Sequence, residues 1–241
     1  MRFTSFFESW LISDGNYPEL ERGQLVNLAF SVSPMSVRAA GSEATAFEPR
    51  DDGSCRIIGK VSWIEPPYRT SVWHLATDTT TEVDGKQIVA IDAGTFRCYI
   101  EDDGEPLAEP AANWPLGTTL EIVGDIYVDY YVWSERIVRD HPDAPDIFFP
   151  LRVERIRFGR FKEQYVEVDA NGAPVVRDGV YAQLADVDDL ASYDIAEVPS
   201  MRIADLPPGN PHLKYYQPTI FLLDLSDRDL PDGEIPRTFL D

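Results

Sequence analysis

The chain of 241 residues carries a formal net charge of −21, and this charge excludes more functions than it identifies. A field of that sign repels phosphate-rich surfaces, so the composition argues against binding to nucleic acid or to a membrane surface. An apolar content of 44% is enough for a sizeable core in one large domain. We therefore expect a folded acidic protein whose macromolecular partners are basic or neutral.

The start of the chain and its two cysteines bear on the cellular compartment. No basic stretch followed by an apolar run opens the sequence, and no segment approaches the ~18 consecutive apolar residues of a membrane span. In such a chain Cys55 and Cys98 are more typical of reduced core thiols than of a disulfide, although their spacing leaves pairing open. The sequence predicts a cytoplasmic protein.

Turn dipeptides divide the chain into a series of short strands. Six Asp-Gly pairs and one Asn-Gly pair are strong local signals for hairpins, and the pair Asp84-Gly85 predicts a hairpin of Thr79–Val83 with Lys86–Ile91. The best helix candidate is Ala185–Ala196. The other predicted strands are Phe3–Ile12, Leu25–Val32, Arg56–Ile64, Ser71–Thr77, Thr95–Glu101, Thr118–Trp133, Leu151–Phe161, Gln164–Asp169, Pro174–Arg177, Val180–Leu184 and Thr219–Leu225.

This order of elements predicts a mainly β protein with few short helices. Short strands separated by turns are typical of an antiparallel barrel or sandwich, with an OB-like or Greek-key arrangement among the candidates. Residues 1–162 are expected to form this barrel or sandwich. Residues 163–241 begin with a predicted β-meander and become rich in proline, so we expect an irregular appendage packed on the barrel, or a single domain overall.

The segment Thr118–Trp133 shows the clearest alternation in the sequence. Every second residue on one side is apolar or Gly, which predicts a strand with one face in the core. Because strand side chains alternate, the opposite face carries acids and aromatic residues. This face consists of Glu121, Val123, Asp125, Tyr127, Asp129, Tyr131 and Trp133.

Two interpretations of this face stay open. In the first, a second layer of the protein covers the aromatic rings, and arginines pair with the acids. In the second, the face is an exposed contact surface, because aromatic rings supply contact area and carboxylates accept hydrogen bonds. The second interpretation makes six side chains the candidate binding residues: Glu121, Asp125, Tyr127, Asp129, Tyr131 and Trp133.

Spacing limits a catalytic use of the same acids. On one face of a strand, residues two apart are separated by ~6.7 Å and residues four apart by ~13 Å. A pair of glycosidase carboxylates needs a separation of about 5 to 9.5 Å. Asp125 is four residues from both Glu121 and Asp129, so a catalytic pair would require a second carboxylate from another strand.

Seven basic residues interrupt the acidic chain. Residues 134–162 have a net charge of +2, against −12 for residues 1–133 and −11 for residues 163–241. No Gly-rich loop or helix start accompanies them, so they support phosphate binding only weakly, and pairing with the surrounding acids is the favoured interpretation. They are Arg136, Arg139, Arg152, Arg155, Arg157, Arg160 and Lys162.

The sequence carries no complete signature of a metal or nucleophile site. The nearest motif is Asp186–Glu197, which has carboxylates at positions one, three, nine and twelve of a calcium loop. Leu190 and Ala191 occupy the positions that need an oxygen ligand and a turn-forming Gly, so we expect no metal there and no cofactor. The three histidines lie far apart without a partner at diagnostic spacing: His74, His141 and His212.

Two classes of function fit these observations. The preferred one is a non-catalytic, acidic protein-binding module, an immunity- or inhibitor-like protein of bacterial type that masks a basic partner surface. The alternative is a carbohydrate-binding protein or hydrolase with an acidic-aromatic cleft. That cleft would be lined by Trp63, Trp73, Tyr127, Tyr131 and Trp133. The sequence does not fix an oligomeric state.

Overall fold

A computed structural model describes residues 1–15, 17–74, 79–85, 87–101, 114–162, 167, 175–177, 180–181, 190–208 and 219–238. The protein is mainly β, which confirms the predicted fold class. The strands are β1 (Arg2–Glu8), β2 (Leu25–Leu28), β3 (Phe30–Ala39), β4 (Ala46–Pro49), β5 (Ser54–Ile64), β6 (Arg69–His74), β7 (Thr79–Asp84), β8 (Ile88–Asp92), β9 (Arg97–Glu101), β10 (Thr119–Val128), β11 (Phe149–Phe161), β12 (Val176–Arg177), β13 (Val180–Tyr181), β14 (Tyr193–Val198) and β15 (Thr219–Ser226).

Helical structure in the described residues is limited to short turns. Helix α1 spans Trp10–Ser13, and a π-helical turn at Val132–Ile137 runs directly into α2 at Val138–Asp140. Two 3₁₀ turns lie at Leu190–Ser192 and Ile203–Asp205. None of these turns is long enough to form a layer of its own, so strands dominate the packing.

Five strands close into a barrel. Their order around the ring is β3, β10, β5, β8 and β9, and β9 returns to β3 as a parallel pair at Ser31 and Tyr99. The other four pairings of the ring are antiparallel. Five strands is the number in an OB-type barrel, which is one of the arrangements that the sequence predicts.

The sheet continues beyond the barrel through β1, which pairs in parallel with the end of β10 at Phe6 and Tyr127. Next to β1 lies β15, then β11, and β11 pairs with both β2 and β14. The region 163–241 therefore contributes two strands to the same sheet as the region 1–162. A separate pair, β12 with β13, forms the described part of the predicted meander, whose other residues lie largely outside the described ranges.

Two hydrophobic cores result from this arrangement. The larger one fills the barrel and continues between β1, β11 and β15, where Phe7, Ile156 and Leu223 are fully buried. The smaller one lies beside β8 and β9 and includes Tyr99 and Trp133. Residues 132–148 contribute the helical turn and the loop that pack against this second core.

The strand predicted at Thr118–Trp133 ends five residues early. Its last pairing joins Val128 to Phe30, which is the first residue of β3, so the chain has no partner strand beyond this point. Tyr131 then takes a left-handed conformation with φ of 77°, and the π-helical turn follows. The alternation in the sequence continues past the strand, but the hydrogen-bond ladder does not.

Two further local predictions are wrong. The segment Thr79–Asp84 pairs with β6 rather than with β8, in a two-stranded sheet outside the barrel. Its residues are all exposed, whereas Ile88–Ile91 is fully buried. The two segments therefore lie in different environments and do not form the predicted hairpin. The predicted helix Ala185–Ala196 is a 3₁₀ turn followed by β14 over its described residues, and residues 185–189 lie outside the described ranges.

A β-bulge joins β3 to β10. The pairing register shifts between Val123 and Gly124, and the partners Ser36 and Pro34 leave Met35 without an opposite residue. Bulges re-aim side chains, and Met35 is 57% exposed on this strand. Gly124 permits the bulge, because a Cβ atom there would overlap the carbonyl oxygen of Ser33 and lie 2.9 Å from the Cα atom of Pro34.

We predict that Gly124→Ala destabilises the fold by about 3 kcal/mol, because backbone rather than a flexible side chain occupies the space for the new methyl group. Urea unfolding measures this free energy. The control is Ser33→Ala, an exposed position opposite Asp125, where we expect a change within about 0.5 kcal/mol. Equal stability of the two variants would contradict the tight approach of β3 to Gly124.

Candidate functional site

The outward side of β10 begins with Glu121, which is a structural residue. Its carboxylate is 8% exposed and forms ion pairs with Arg38 on β3 and with Arg56 on β5, the latter at 2.7 Å. Arg56 also reaches Glu48 and Glu43 at 3.1 and 3.5 Å. The hydrogen bond from Arg56 is the largest cause of the lowered pKa of Glu121. This end of the face is therefore a network of alternating charges across the four strands β3, β10, β5 and β4.

The middle of the face is partly accessible. Asp125 and Tyr127 are half-buried, and the ring of Tyr127 stacks on Phe6 with 5.1 Å between centroids and 26° between planes. Asp125 pairs across β3 with Ser33, close to the bulge that exposes Met35. Apolar and acidic side chains thus share this part of the surface.

Asp129 lies inside the protein with no exposed surface. Its carboxylate accepts hydrogen bonds from the hydroxyl of Tyr99 at 2.6 Å and from the backbone N–H of Trp133 at 2.8 Å. It also accepts bonds from the backbone N–H and the hydroxyl of Ser134. The hydroxyl of Tyr17 donates to the Asp129 carbonyl at 2.8 Å. Asp129 thus fixes the start of the π-helical turn, in the way that a capping residue fixes a helix.

The last two predicted binding residues differ in their environment. Tyr131 is half-buried, and its hydroxyl lies 3.4 Å from the carboxylate of Asp14. Trp133 is 1% exposed and packs against Trp63 edge to face and against Tyr99 in a stacked geometry, each with 5.6 Å between ring centroids. The structure therefore leaves Asp125, Tyr127 and Tyr131 partly accessible, whereas Glu121, Asp129 and Trp133 are buried.

A buried charged cluster beside the second core is absent from the sequence-based predictions. Glu65 is 1% exposed, and Arg136 contacts both of its carboxylate oxygens. The backbone N–H of Ile88 donates to the same carboxylate at 3.2 Å, and Nε2 of His141 lies 3.7 Å away. The guanidinium of Arg136 also lies 4.9 Å from the ring centroid of Tyr68.

This cluster attaches the segment 132–148 to the barrel, because Arg136 and His141 of the segment contact Glu65 at the end of β5. The only sequence signal was an acid directly after an apolar strand, because Arg136 lies 71 residues from Glu65 and no local pattern connects them. A cavity of about 120 Å³ beside the cluster is lined mainly by the loop after α2, including His141, and by Arg237. The cluster stabilises the fold, and the Glu65 carboxylate already accepts hydrogen bonds from Arg136 and from the Ile88 N–H group.

Among the seven basic residues of positions 134–162, four have the acidic partners that the favoured interpretation requires and three have none within the described ranges. Four form ion pairs: Arg136 with Glu65, Arg139 with Asp140, and both Arg155 and Arg157 with Asp224. The other three donate to backbone carbonyls instead: Arg152 to Gly23 and Asp229, Arg160 to Pro207, and Lys162 to Ala191.

Asp224 is the acid at the centre of the extended sheet. It lies on β15 with 3% exposure and accepts hydrogen bonds from Thr4 at 2.8 Å and from Arg155 and Arg157. Burial by itself raises the pKa of this carboxyl group, but the three hydrogen bonds outweigh burial and the net shift is downward. The charged form of Asp224 is thus the form that the fold stabilises.

The described residues contain no group of three or more His, Cys, Asp or Glu side chains placed to hold a metal ion. Within the calcium-like motif, Asp194 and Glu197 belong to strand β14, and Asp186 and Asp188 lie outside the described ranges. Among the histidines, His141 joins the Glu65 cluster, His212 lies outside the described ranges, and nothing is described of the His74 side chain.

Both cysteines are free thiols in the larger core. Burial raises the pKa of Cys55 to about 12 and raises that of Cys98 well above its ordinary value. Both thiols are therefore protonated at neutral pH and have little reactivity as nucleophiles.

A comparison with protein-family models, curated proteins and solved structures finds no match to this chain. No helix within the described part of the chain is long and apolar enough to cross a membrane.

We predict that Asp129→Ala destabilises the protein by at least about 3 kcal/mol, because it leaves several buried donors without an acceptor. Denaturant unfolding followed by tryptophan fluorescence measures the loss. Asp143→Ala removes an exposed acid from the loop after α2, and we expect a change within about 0.5 kcal/mol. A loss of similar size in both variants would contradict the assigned role of Asp129.

The lowered pKa of Asp224 predicts a pH dependence of stability. Between the folded pKa and the unfolded value of about 3.9, the unfolded state binds more protons, so stability falls as the pH falls through this range. We expect Asp224→Asn to lose about 2 to 3 kcal/mol at pH 7, where the charged hydrogen bonds are intact in the native protein.

The same variant should differ less from the native protein as the pH falls below about 4, because protonation of Asp224 in the unfolded state then reduces the stability that its charge contributes. Urea unfolding at pH 7 and pH 3 measures the two differences. Asp232→Asn removes an exposed acid and serves as the control. A difference that is independent of pH would show that the charge of Asp224 is not what stabilises the sheet.

Proposed function

We propose that the protein is a non-catalytic binding module that covers a basic surface of a partner protein, as an immunity or inhibitor protein does. The charge distribution supports the proposal most strongly. In the described part of the chain only four carboxylates are buried, and all four have structural partners. They are Glu65, Glu121, Asp129 and Asp224.

Arginines that pair with buried carboxylates do not reduce the net negative charge of the remaining residues. Three of the four buried carboxylates engage five arginines: Arg38, Arg56, Arg136, Arg155 and Arg157. The five arginines and four carboxylates carry +1 together, so the other residues carry −22 of the net −21. A field of this size accelerates encounter with a basic partner and repels an acidic one.

Charge attraction brings a partner to the protein, and a contact surface is then needed to hold it. The bulge on β3 offers one, because it exposes the unbranched, adaptable side chain of Met35 opposite the stretch of β10 that leads to the half-buried Asp125 and Tyr127. We assign the contact to this surface, which we call the bulge face and define by Met35, Val123, Asp125 and Tyr127. It retains two of the six binding residues that the sequence suggests.

The carbohydrate alternative receives less support. It requires exposed rings, but Trp63 and Trp133 pack against each other in the second core with 9% and 1% exposure. The side chain of Trp73 is not among those described. A reducing compartment such as the cytoplasm fits the two buried free thiols, and we include this location in the proposal.

Cross-linking tests the proposal in cells that express the native gene. A photo-cross-linking amino acid at Met35 should capture a basic protein, and about 0.5 M salt during irradiation of a lysate should reduce the yield, because salt screens the attraction. The same amino acid at Thr80, which is exposed on β7, serves as the control. The same products at both positions, or a captured partner that is not basic, would contradict the proposal.

Binding kinetics with the captured partner separate the two contributions. The triple variant Glu82→Lys, Asp232→Lys and Glu234→Lys changes exposed charges outside the bulge face, so we expect at least a tenfold slower association and little change in dissociation. Met35→Ala should accelerate dissociation at least tenfold with little effect on association. Unchanged kinetics in both variants would overturn the proposal.

A further inference from the structure

A cavity at the far edge of the sheet has a charge opposite to that of the molecule. It has a volume of about 260 Å³ and lies where β11 and β14 meet the segment before residue 208. Two cations and one acid line it, so its local charge is +1 in a protein of net −21. The lining residues are Phe158, Arg160, Phe161, Lys162, Asp194, Ile195, Ala196, Pro207 and Pro208.

Among the described residues, the two cations of the cavity, like Arg152, donate to backbone carbonyls rather than to acids. In the part of the chain that the structure describes, Arg160 and Lys162 form no ion pair with a carboxylate, although acids outnumber bases two to one in the whole sequence. Each instead donates to a backbone carbonyl, Arg160 to Pro207 at 2.8 Å and Lys162 to Ala191 at 2.6 Å. Their positive charges are therefore not neutralised by these contacts.

The position of Arg160 is fixed before any ligand arrives. Its guanidinium lies 5.1 Å from the ring centroid of Phe158, and one of its amino groups is held by the Pro207 carbonyl. A guanidinium has five N–H donors, so this bond leaves others for an acceptor in the cavity. A cation that is already ordered loses less conformational entropy on binding than a free surface arginine.

The remaining walls of the cavity are mainly apolar. Phe158 and Phe161 are buried, Ala196 and Pro207 are half-buried, and Ile195 is 41% exposed at the rim. Concave sites with apolar walls and a few convergent polar groups are typical of sites for small ligands. This combination fits a ligand with one anionic end and a compact apolar body.

We propose that this cavity binds a carboxylate attached to a compact apolar group, with Arg160 and Lys162 holding the carboxylate and the walls of β11, β14 and Pro207 holding the apolar group. Guanidinium and carboxylate form strong, charge-assisted hydrogen bonds, which favours this anion. Such a carboxylate occurs in free small acids and at the C-terminus of a peptide that ends in an apolar residue. The site is separate from the bulge face and does not depend on the proposed function.

Titration with 3-phenylpropanoate tests the proposal in the full-length protein. We expect saturable NMR shifts of the amide signals of Ile195 and Ala196, which line the cavity. The neutral 3-phenylpropanamide should bind at least tenfold more weakly, and phenethylammonium should not bind. Equal affinity for the acid and the amide, or an absence of saturable shifts with every probe, would overturn the proposal.

Two variants locate the binding. Arg160→Gln should weaken binding of 3-phenylpropanoate at least tenfold, whereas Arg152→Gln should leave it unchanged, since Arg152 also lies on β11 and donates to backbone carbonyls but is not part of the cavity. Ala196→Phe fills the cavity without changing any charge and should abolish binding. Unfolding curves of each variant verify that the fold is retained, and an equal loss in Arg152→Gln would contradict the assigned site.

A peptide distinguishes the two sources of the carboxylate. The tripeptide Gly-Gly-Phe with a free C-terminus is compared with its C-terminal amide and with 3-phenylpropanoate. Binding of the free peptide at least as tight as that of the small acid supports a peptide terminus as the ligand. Binding of the small acid alone supports a free metabolite, and failure of both to bind overturns the proposed site.

Discussion

The buried carboxylate of Asp129 is the interaction on which the architecture depends. Its side chain and backbone together join the N-terminal segment through Tyr17, the barrel through Tyr99 and the helical turn through Trp133. A carboxylate without exposed surface is unfavourable unless donors surround it, and here two hydroxyls and two backbone N–H groups do so. The segment 132–148 can therefore cover the outer side of β8 and β9 in only one arrangement.

Internal ion pairing explains how so acidic a chain folds. Glu121 and Asp224 are buried acids on strands of the sheet, and each of them pairs with two arginines from neighbouring strands. Such pairs avoid the desolvation cost of an unpaired buried charge. Because these arginines pair with buried carboxylates, the acids at the surface keep their mutual repulsion and their long-range field. The buried carboxylates therefore have partners, whereas the surface keeps a net negative charge.

Sequence patterns predicted most of the strands, but they missed β4, assigned part of β14 to a helix and did not predict the strand partners of the barrel. Alternation of apolar residues identified β10 correctly up to Val128, because one face of this strand lines the barrel interior. It could not show that β3 has its first residue, Phe30, opposite Val128 and that the pairing therefore stops there. The pair Asp84-Gly85 predicted a hairpin of β7 with β8, but β7 pairs with β6 and β8 has both neighbours inside the barrel. The strand β3 was recognised only in its first part, because Pro34 reads as a break and the bulge that accommodates it depends on Gly124. Burial of Asp129 and Trp133 follows from these long-range pairings.

The position of β1 between β10 and β15 has a consequence for the order of folding. Phe3 pairs with Leu225, so this neighbour of β1 is synthesised more than 200 residues after it. Until then one edge of β1, including the apolar residues Phe6 and Phe7, has no ladder partner, and the contact must close a loop of more than 200 residues. A nascent chain that still lacks β15 therefore exposes this edge of β1, and an unpaired strand edge is a site where chains can associate wrongly.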